Sequence, residues 1–201
     1  VPEFELKDGS RVEIRPLTPA DKAGLAAGFE RLSDLSRYRR FLSPTEHLTA
    51  RQLAYLTDVD HHDHEALVAI DPFSREGLGV ARYVRSRENH NEAEFAVAVA
   101  DDWQRRGLGT ALLRQLAARA LAEGVTRFTA LVLGENPPVQ HLLESLGQVE
   151  QRHAEGGTVE VCLQVPDGRL GAEQTGRLTG WMRAAARGQL ESRLRGTDDN
   201  P

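Results

Sequence analysis

A single cysteine, Cys162, stands in 201 residues, and a lone thiol excludes both an intramolecular disulfide framework and any thiolate metal cluster. Lysine is almost as scarce. Lys7 and Lys22 are the only two among 25 basic residues, so the positive charge is carried by arginine, whose planar donor fork suits phosphates and carboxylates. No run of about 18 apolar residues occurs and 27% of the chain is charged, which excludes a helical membrane span. A positive surplus is missing too: the net charge of -5 argues against broad affinity for nucleic acid, while leaving room for a local basic patch. Val1–Ser10 has no basic, apolar, small-residue leader, and the expectation is a cytoplasmic protein. What is present is 40% apolar residues, enough to bury the core of one compact domain with some length to spare.

The patterning predicts alternating elements. Arg11–Leu17 alternates with period two, as a half-buried strand does; Thr18-Pro19-Ala20-Asp21 then reads as an N-cap with proline at the first helical position, opening a helix to about Leu32. Ser33–Pro44 reads as an arginine-rich connection, Thr49–Thr57 as a helix and Asp58–His64 as a polar loop. Ala66–Ile70 and Leu78–Val84 form a hairpin, Glu92–Val99 a fourth strand, Arg106–Glu123 a long helix stopped by Gly124, and Thr126–Leu133 a fifth strand. Pro137–Leu146 reads as a helix, and Thr158–Val165 as a last strand paired with one near Val149–Arg152. The order predicts an α/β (α+β) domain over 10–166, its mixed sheet covered on both faces, with Pro166-Asp167-Gly168 marking a boundary before a helical extension over 167–201.

The stretch with most chemical content is Gln104-Arg105-Arg106-Gly107-Leu108-Gly109-Thr110, between a predicted strand and a predicted helix. Glycines there let a turn present backbone N–H groups with no Cβ in the way. Those donors, the positive end of the helix, and Arg105 or Arg106 together suit a pyrophosphate. It is neither a dinucleotide-binding fingerprint, which needs a third glycine and a ribose-binding acid, nor a P-loop, which needs Gly-Lys-Ser/Thr.

With Gln104, Gly107 and Gly109 filling Gln/Arg-x-x-Gly-x-Gly/Ala, the stretch resembles the acyl-CoA pyrophosphate loop of the GNAT superfamily, and the element order from Arg11 to about Val165 resembles that fold. The resemblance implies a mostly antiparallel sheet of about seven strands. Arg31–Phe41, Glu65–Ala69 and Ala93–Val97 further resemble the catalytic domain of bacterial Pat-type protein lysine acetyltransferases, in which an additional regulatory domain is frequent. What the resemblance implies is an N-acetyltransferase that moves an acetyl group from acetyl-CoA to a primary amine, a protein lysine first among acceptors, by direct transfer in a ternary complex.

Glu94 stands ten residues before Gln104, where the superfamily places its general base. A base is needed because an alkylammonium, with a pKa of about 10.4, must lose a proton before it attacks a thioester. Glu92, one alternation away on the same face, is the substitute. By resemblance, Val97, Ala98 and Val99 end a strand that splays from its neighbour, binds the pantetheine arm and offers an amide to the oxyanion. Asn136 resembles the residue that contacts the cofactor or caps the next helix. Two positions depart from the pattern: Leu143 replaces a frequent tyrosine acid and Gln148 a frequent aromatic.

Other features have plainer readings. His61-His62-Asp63-His64-Glu65 lacks a second ligand group at metal spacing, so no metal is expected and the segment reads as a solvated loop beside the substrate entrance. Cys162 reads as core. Leu178, Trp181, Met182 and Ala185 give the extension an apolar stripe suited to its own domain or to a homodimer. Neither nucleic acid nor a membrane is an expected partner. The rival functions are a small-molecule amine N-acetyltransferase and a non-catalytic acyl-CoA-binding regulatory module.

Overall fold

The computed structural model describes residues 3–133, 142–143, 146, 149–153 and 157–165. Among these, eight strands form one sheet in the order β1-β2-β3-β4-β5-β6-β8-β7. They are β1 (Glu3–Glu5), β2 (Arg11–Pro16), β3 (His64–Ile70), β4 (Gly77–Arg85), β5 (Glu92–Val99), β6 (Arg127–Leu133), β7 (Val149–His153) and β8 (Thr158–Gln164). Every neighbouring pair is antiparallel except β5 and β6. Strand β1 is one more than the sequence pattern gave. It is three residues long and is carried by a turn in which Leu6 N–H donates to Ser10 O and Gly9 N–H to Leu6 O.

Four helices flank the sheet among the described residues: α1 (Lys22–Glu30), α2 (Asp34–Phe41), α3 (Ala50–Thr57) and α4 (Leu108–Ala122). The Thr18 signal holds. Asp21 closes a capping box on the Thr18 N–H and also accepts a bidentate contact from Arg15 at 2.6 and 2.8 Å. The Arg15 hydrogen bonds hold the Asp21 carboxyl well below its ordinary range, at about 2. The arginine-rich connection over Ser33–Pro44 is corrected: it contains α2. Ser33 Oγ caps it by accepting from Ser36 N–H, and Leu42 ends it in the left-handed region at φ 50°. Its buried residues, Ser36 and Arg40, stand four apart, so a polar face turns inward and hides the helix from an apolar periodicity.

The main core lies between the sheet and α4, where Leu108, Leu112, Leu113 and Leu116 meet Tyr83, Phe95 and Phe128. A smaller cluster of Leu17, Ala66, Val68 and Ile70 occupies the opposite face, beneath α1 and α3. Cys162 is buried on β8, as read. No helix among the described residues is long and apolar enough to cross a membrane. The helix expected over 137–146 is described only at Leu142, Leu143 and Leu146, all in the main core, and the extension over 167–201 lies outside the described residues.

The histidine segment is corrected as well. Glu65 is fully buried. Its carboxylate accepts from Arg119 at 2.7 and 2.8 Å and from Ala66 N–H at 2.9 Å, and contacts His61 Nδ1 at 2.6 Å. His62 pairs with Glu123, and Asp63 with Arg85. The loop is therefore clamped onto the C-terminal half of α4, away from the helix start that carries the glycine-rich stretch. Among the described residues no group of three or more metal-ligating side chains forms. Arg119→Met is expected to cost about 2 kcal/mol, below the ~3–5 kcal/mol of a fully buried pair because Arg119 itself is half exposed. Urea unfolding at neutral pH measures this; an unchanged midpoint would remove the clamp from the stability account.

Candidate active site

Strand β5 pairs with β4 along its length, from Ala93 opposite Arg85 to Val99 opposite Gly79. Its parallel ladder with β6 is far shorter, joining only Glu92, Ala93 and Glu94 to Arg127, Phe128 and Thr129. Strand β6 continues to Leu133 on β8 alone. From Phe95 onward the two strands have parted, and the backbone of β5 over Val97, Ala98 and Val99 has an edge that β6 does not pair. Val97 and Val99 are buried toward α4, so at this edge the strand offers main chain rather than side chains. Gly79 keeps β4 close: a Cβ there would stand 2.9 Å from Ala98 O and 3.1 Å from Leu112 Cδ1.

Beyond β5 the chain makes a 3-10 turn over Asp101–Trp103, then passes through Arg105 at φ 62° and Gly107 at φ 93° before Leu108 opens α4. Left-handed residues at such close spacing can turn successive N–H groups toward one side, an arrangement that suits an anion, as does the positive end of a 15-residue helix. Leu108 and Thr110 are buried, which anchors the helix start. Gly109 lies against the end of β5, where a Cβ would stand 3.8 Å from Val99 Cγ2. This loop and the free strand edge therefore adjoin.

Side chains around the loop are arranged by neighbours that the sequence did not single out. Gln104 donates its amide to Asp101, which also accepts from Ser36 Oγ at 2.5 Å and Ser33 N–H at 2.7 Å, tying the loop to the start of α2. Arg106 lies over the Trp103 ring at 4.8 Å and 3.7 Å from Asp8. Lys7, in the β1–β2 turn, passes beside Gly107, with Cγ 3.6 Å from the place a Cβ would take. No pattern in the sequence joins residues 7 and 107; the strand that brings them together is only three residues long, too short for an alternation.

Glu94 stands on the last rung before the strands part. Burial pushes its carboxyl up to about 7, against the opposing pull of Arg40, with Glu160 adding to the rise. Glu92, two residues earlier and likewise half-buried, lies 3.8 Å from Arg127. Glu94 is thereby poised to exchange a proton near neutral pH. Leu143, at the position where the resemblance implied a tyrosine, is a fully buried core residue. Asn136 and Gln148 lie outside the described residues.

The face of β5 that carries Glu94, Ala96 and Ala98 is also that of Arg82, which is registered opposite Ala96. Here a cavity of about 280 Å³ opens between the sheet and α1, α2 and α3, reaching from Leu25 and Phe29 to Arg40, Arg82 and Ala98. In sum, the site can lay an extended ligand along a strand edge, hold its anionic end on backbone amides, and take up a proton beside it.

The acetyltransferase (GNAT) family model matches residues 31–148. Over 165 residues the chain is 34% identical to acetyltransferase Pat of Mycolicibacterium smegmatis, covering 81% of this chain and 48% of that protein, so it spans about half the length of that relative. It is 33% identical over 156 residues to an acetyltransferase of Pseudomonas aeruginosa, covering 76% of this chain and 83% of the other. The crystal structure of the GNAT domain of S. lividans PAT superposes with a TM-score of 0.75 at 31% identity, covering 81% of this chain and 96% of that one.

Proposed function

The chain belongs to the acetyltransferase (GNAT) family, whose enzymes use acetyl-CoA, and from that premise we propose that it transfers the acetyl group to a primary amine, with a protein lysine as the first acceptor class. The observation that carries the reading is the parting of β5 from β6 immediately after Glu94, beside a left-handed loop at the start of α4. The pyrophosphate lies on the amides of Gln104–Thr110, with Arg105 and Arg106 adding charge, and the pantetheine arm lies along Val97, Ala98 and Val99. Asn136 is assigned to the cofactor by resemblance.

In the reaction, Glu94 takes the proton from the acceptor ammonium, directly or through water. The freed nitrogen attacks the thioester carbon, and a strand-edge amide stabilises the oxyanion. The C–N bond forms and the C–S bond breaks; the nitrogen, cationic after attack, gives its second proton to the departing thiolate through water, so coenzyme A leaves as the thiol. With a thiol pKa of about 8.5, that leaving group needs no dedicated acid, which accords with leucine at 143. Holding amine and thioester together supplies much of the acceleration. A small-molecule amine is the second reading, favoured by the cavity on the sheet face that carries Glu94.

Coenzyme A release from acetyl-CoA, measured against a panel of lysine-bearing proteins and small amines, tests the proposal. Turnover is expected, with protein acceptors ahead. A preference for small amines would select the second reading. Saturable cofactor binding without turnover on any acceptor would select a binding module.

A further inference from the structure

The cavity beneath α1, α2 and α3 has apolar walls and an unusual charge balance. Of the four arginines and one aspartate that line it, Arg15 is neutralised by Asp21 and Arg75 by Glu13. Arg82 is different. It is 3% exposed, and its guanidinium donates to Leu56 O at 2.8 Å and to His64 Nε2 at 3.2 Å; among the described residues it makes no ion pair with a carboxylate. A second buried guanidinium, Arg40, also lines the cavity and lies close enough to act on Arg82, pushing it further in the direction that burial already takes it, down to about 9. A guanidinium keeps its charge at neutral pH.

A buried charge without a counter-ion is costly, by several kcal/mol, unless something else supplies the opposite charge. Here the charge borders an accessible space rather than solid core. Its volume, about 280 Å³, falls just below the ~300–1,000 Å³ of sites for drug-sized ligands, so the occupant is small. Leu25, Phe29 and Val80 line it with hydrocarbon, so most of that occupant is apolar.

We propose that this cavity binds a small apolar carboxylate, held by Arg82 with Arg40 beside it, and that the second acceptor class above, the small amine, is the one that fills it, bearing that carboxylate on its apolar body. Planar, bidentate pairing with a carboxylate is what a guanidinium does best. The position fits the chemistry, since Arg82 and Glu94 share one face of adjacent strands, and the charge anchor lies within a few side chains of the proton acceptor. The inference rests on the functional reading above for the transfer step, but not for the binding.

Titration calorimetry of the whole chain with 4-phenylbutyrate and with the uncharged 4-phenylbutyramide tests it without any substitution. The acid is expected to bind saturably and at least ten-fold more tightly than the amide, as charge-assisted hydrogen bonds allow. It should also inhibit acetyl transfer competitively against the amine acceptor. Arg82→Met should erase the acid's advantage, and Arg82→Lys should restore part of it. Equal binding of acid and amide, no binding of the acid, or inhibition that added acceptor does not relieve would overturn the proposal. Coenzyme A titrated into the same sample separates the failures: heat from coenzyme A with none from the acid sinks the cavity assignment alone, whereas no heat from coenzyme A sinks the acetyltransferase reading.

Discussion

Glu94→Gln is expected to leave coenzyme A affinity unchanged and to lower turnover by about 10²–10⁴-fold, the range a positioned general base contributes. The amide keeps the shape and the strand but cannot accept the acceptor's proton. The pH profile separates this from a structural effect. With the Glu94 carboxyl raised to about 7 by burial, kcat/KM should climb as pH rises through about 7, because only the ionised form is a base. In Glu94→Gln that limb should vanish. Stability moves the other way. Between its ordinary 4.5 and about 7 the folded protein holds a proton that the unfolded chain has released, so wild-type stability falls as pH rises through that window. The variant, having nothing to ionise there, should gain on the wild type between pH 4 and pH 8 in thermal melts. An unchanged rate in Glu94→Gln would discard the assignment and turn attention to Glu92.

Gly107→Val is expected to weaken coenzyme A binding at least 100-fold by calorimetry, about 3 kcal/mol, while the protein stays folded. At φ 93° a β-branched residue is an outlier, and relieving it means rotating the peptide units that face the anion. The protein around the site does not object to the side chain: the nearest atoms to a Cβ are Lys7 Cγ at 3.6 Å and Cδ at 3.8 Å, ordinary contacts. The loss should therefore be specific to the ligand, with a melting temperature only a few degrees lower. Gly107→Ala should fall between, since the strain of a left-handed alanine is smaller. Full affinity in Gly107→Val would remove the phosphate cradle from this loop.

Elements whose pattern is local are legible in the sequence. The alternation of β2, the proline-led cap at Thr18, the hairpin of β3 and β4, and the glycine stop of α4 at Gly124 all follow from neighbouring residues. Helix α2 was hidden because its inward residues are Ser36 and Arg40, and a search for apolar spacing passes over a helix that buries polar groups. Glu65 was read as a solvated carboxylate because its partner, Arg119, stands 54 residues away on another element. At the candidate site, the loop is proposed from three residues, and Glu94 from the resemblance that places a base ten residues before Gln104. The raised carboxyl of Glu94, by contrast, depends on burial and on Arg40 across the sheet face, and the cavity depends on three helices meeting one sheet. None of these is written in any single stretch of chain.

The short ladder between β5 and β6 has one more consequence. It leaves a section of five strands joined to a section of three by only three rungs. Deuterium labelling should therefore find a seam: amides at Phe95–Val99 that face the gap swap their protons faster than their depth would suggest, because water can enter where a neighbouring strand is missing. Occupancy of that gap by an extended molecule would slow them, and the two sections would then label as one body.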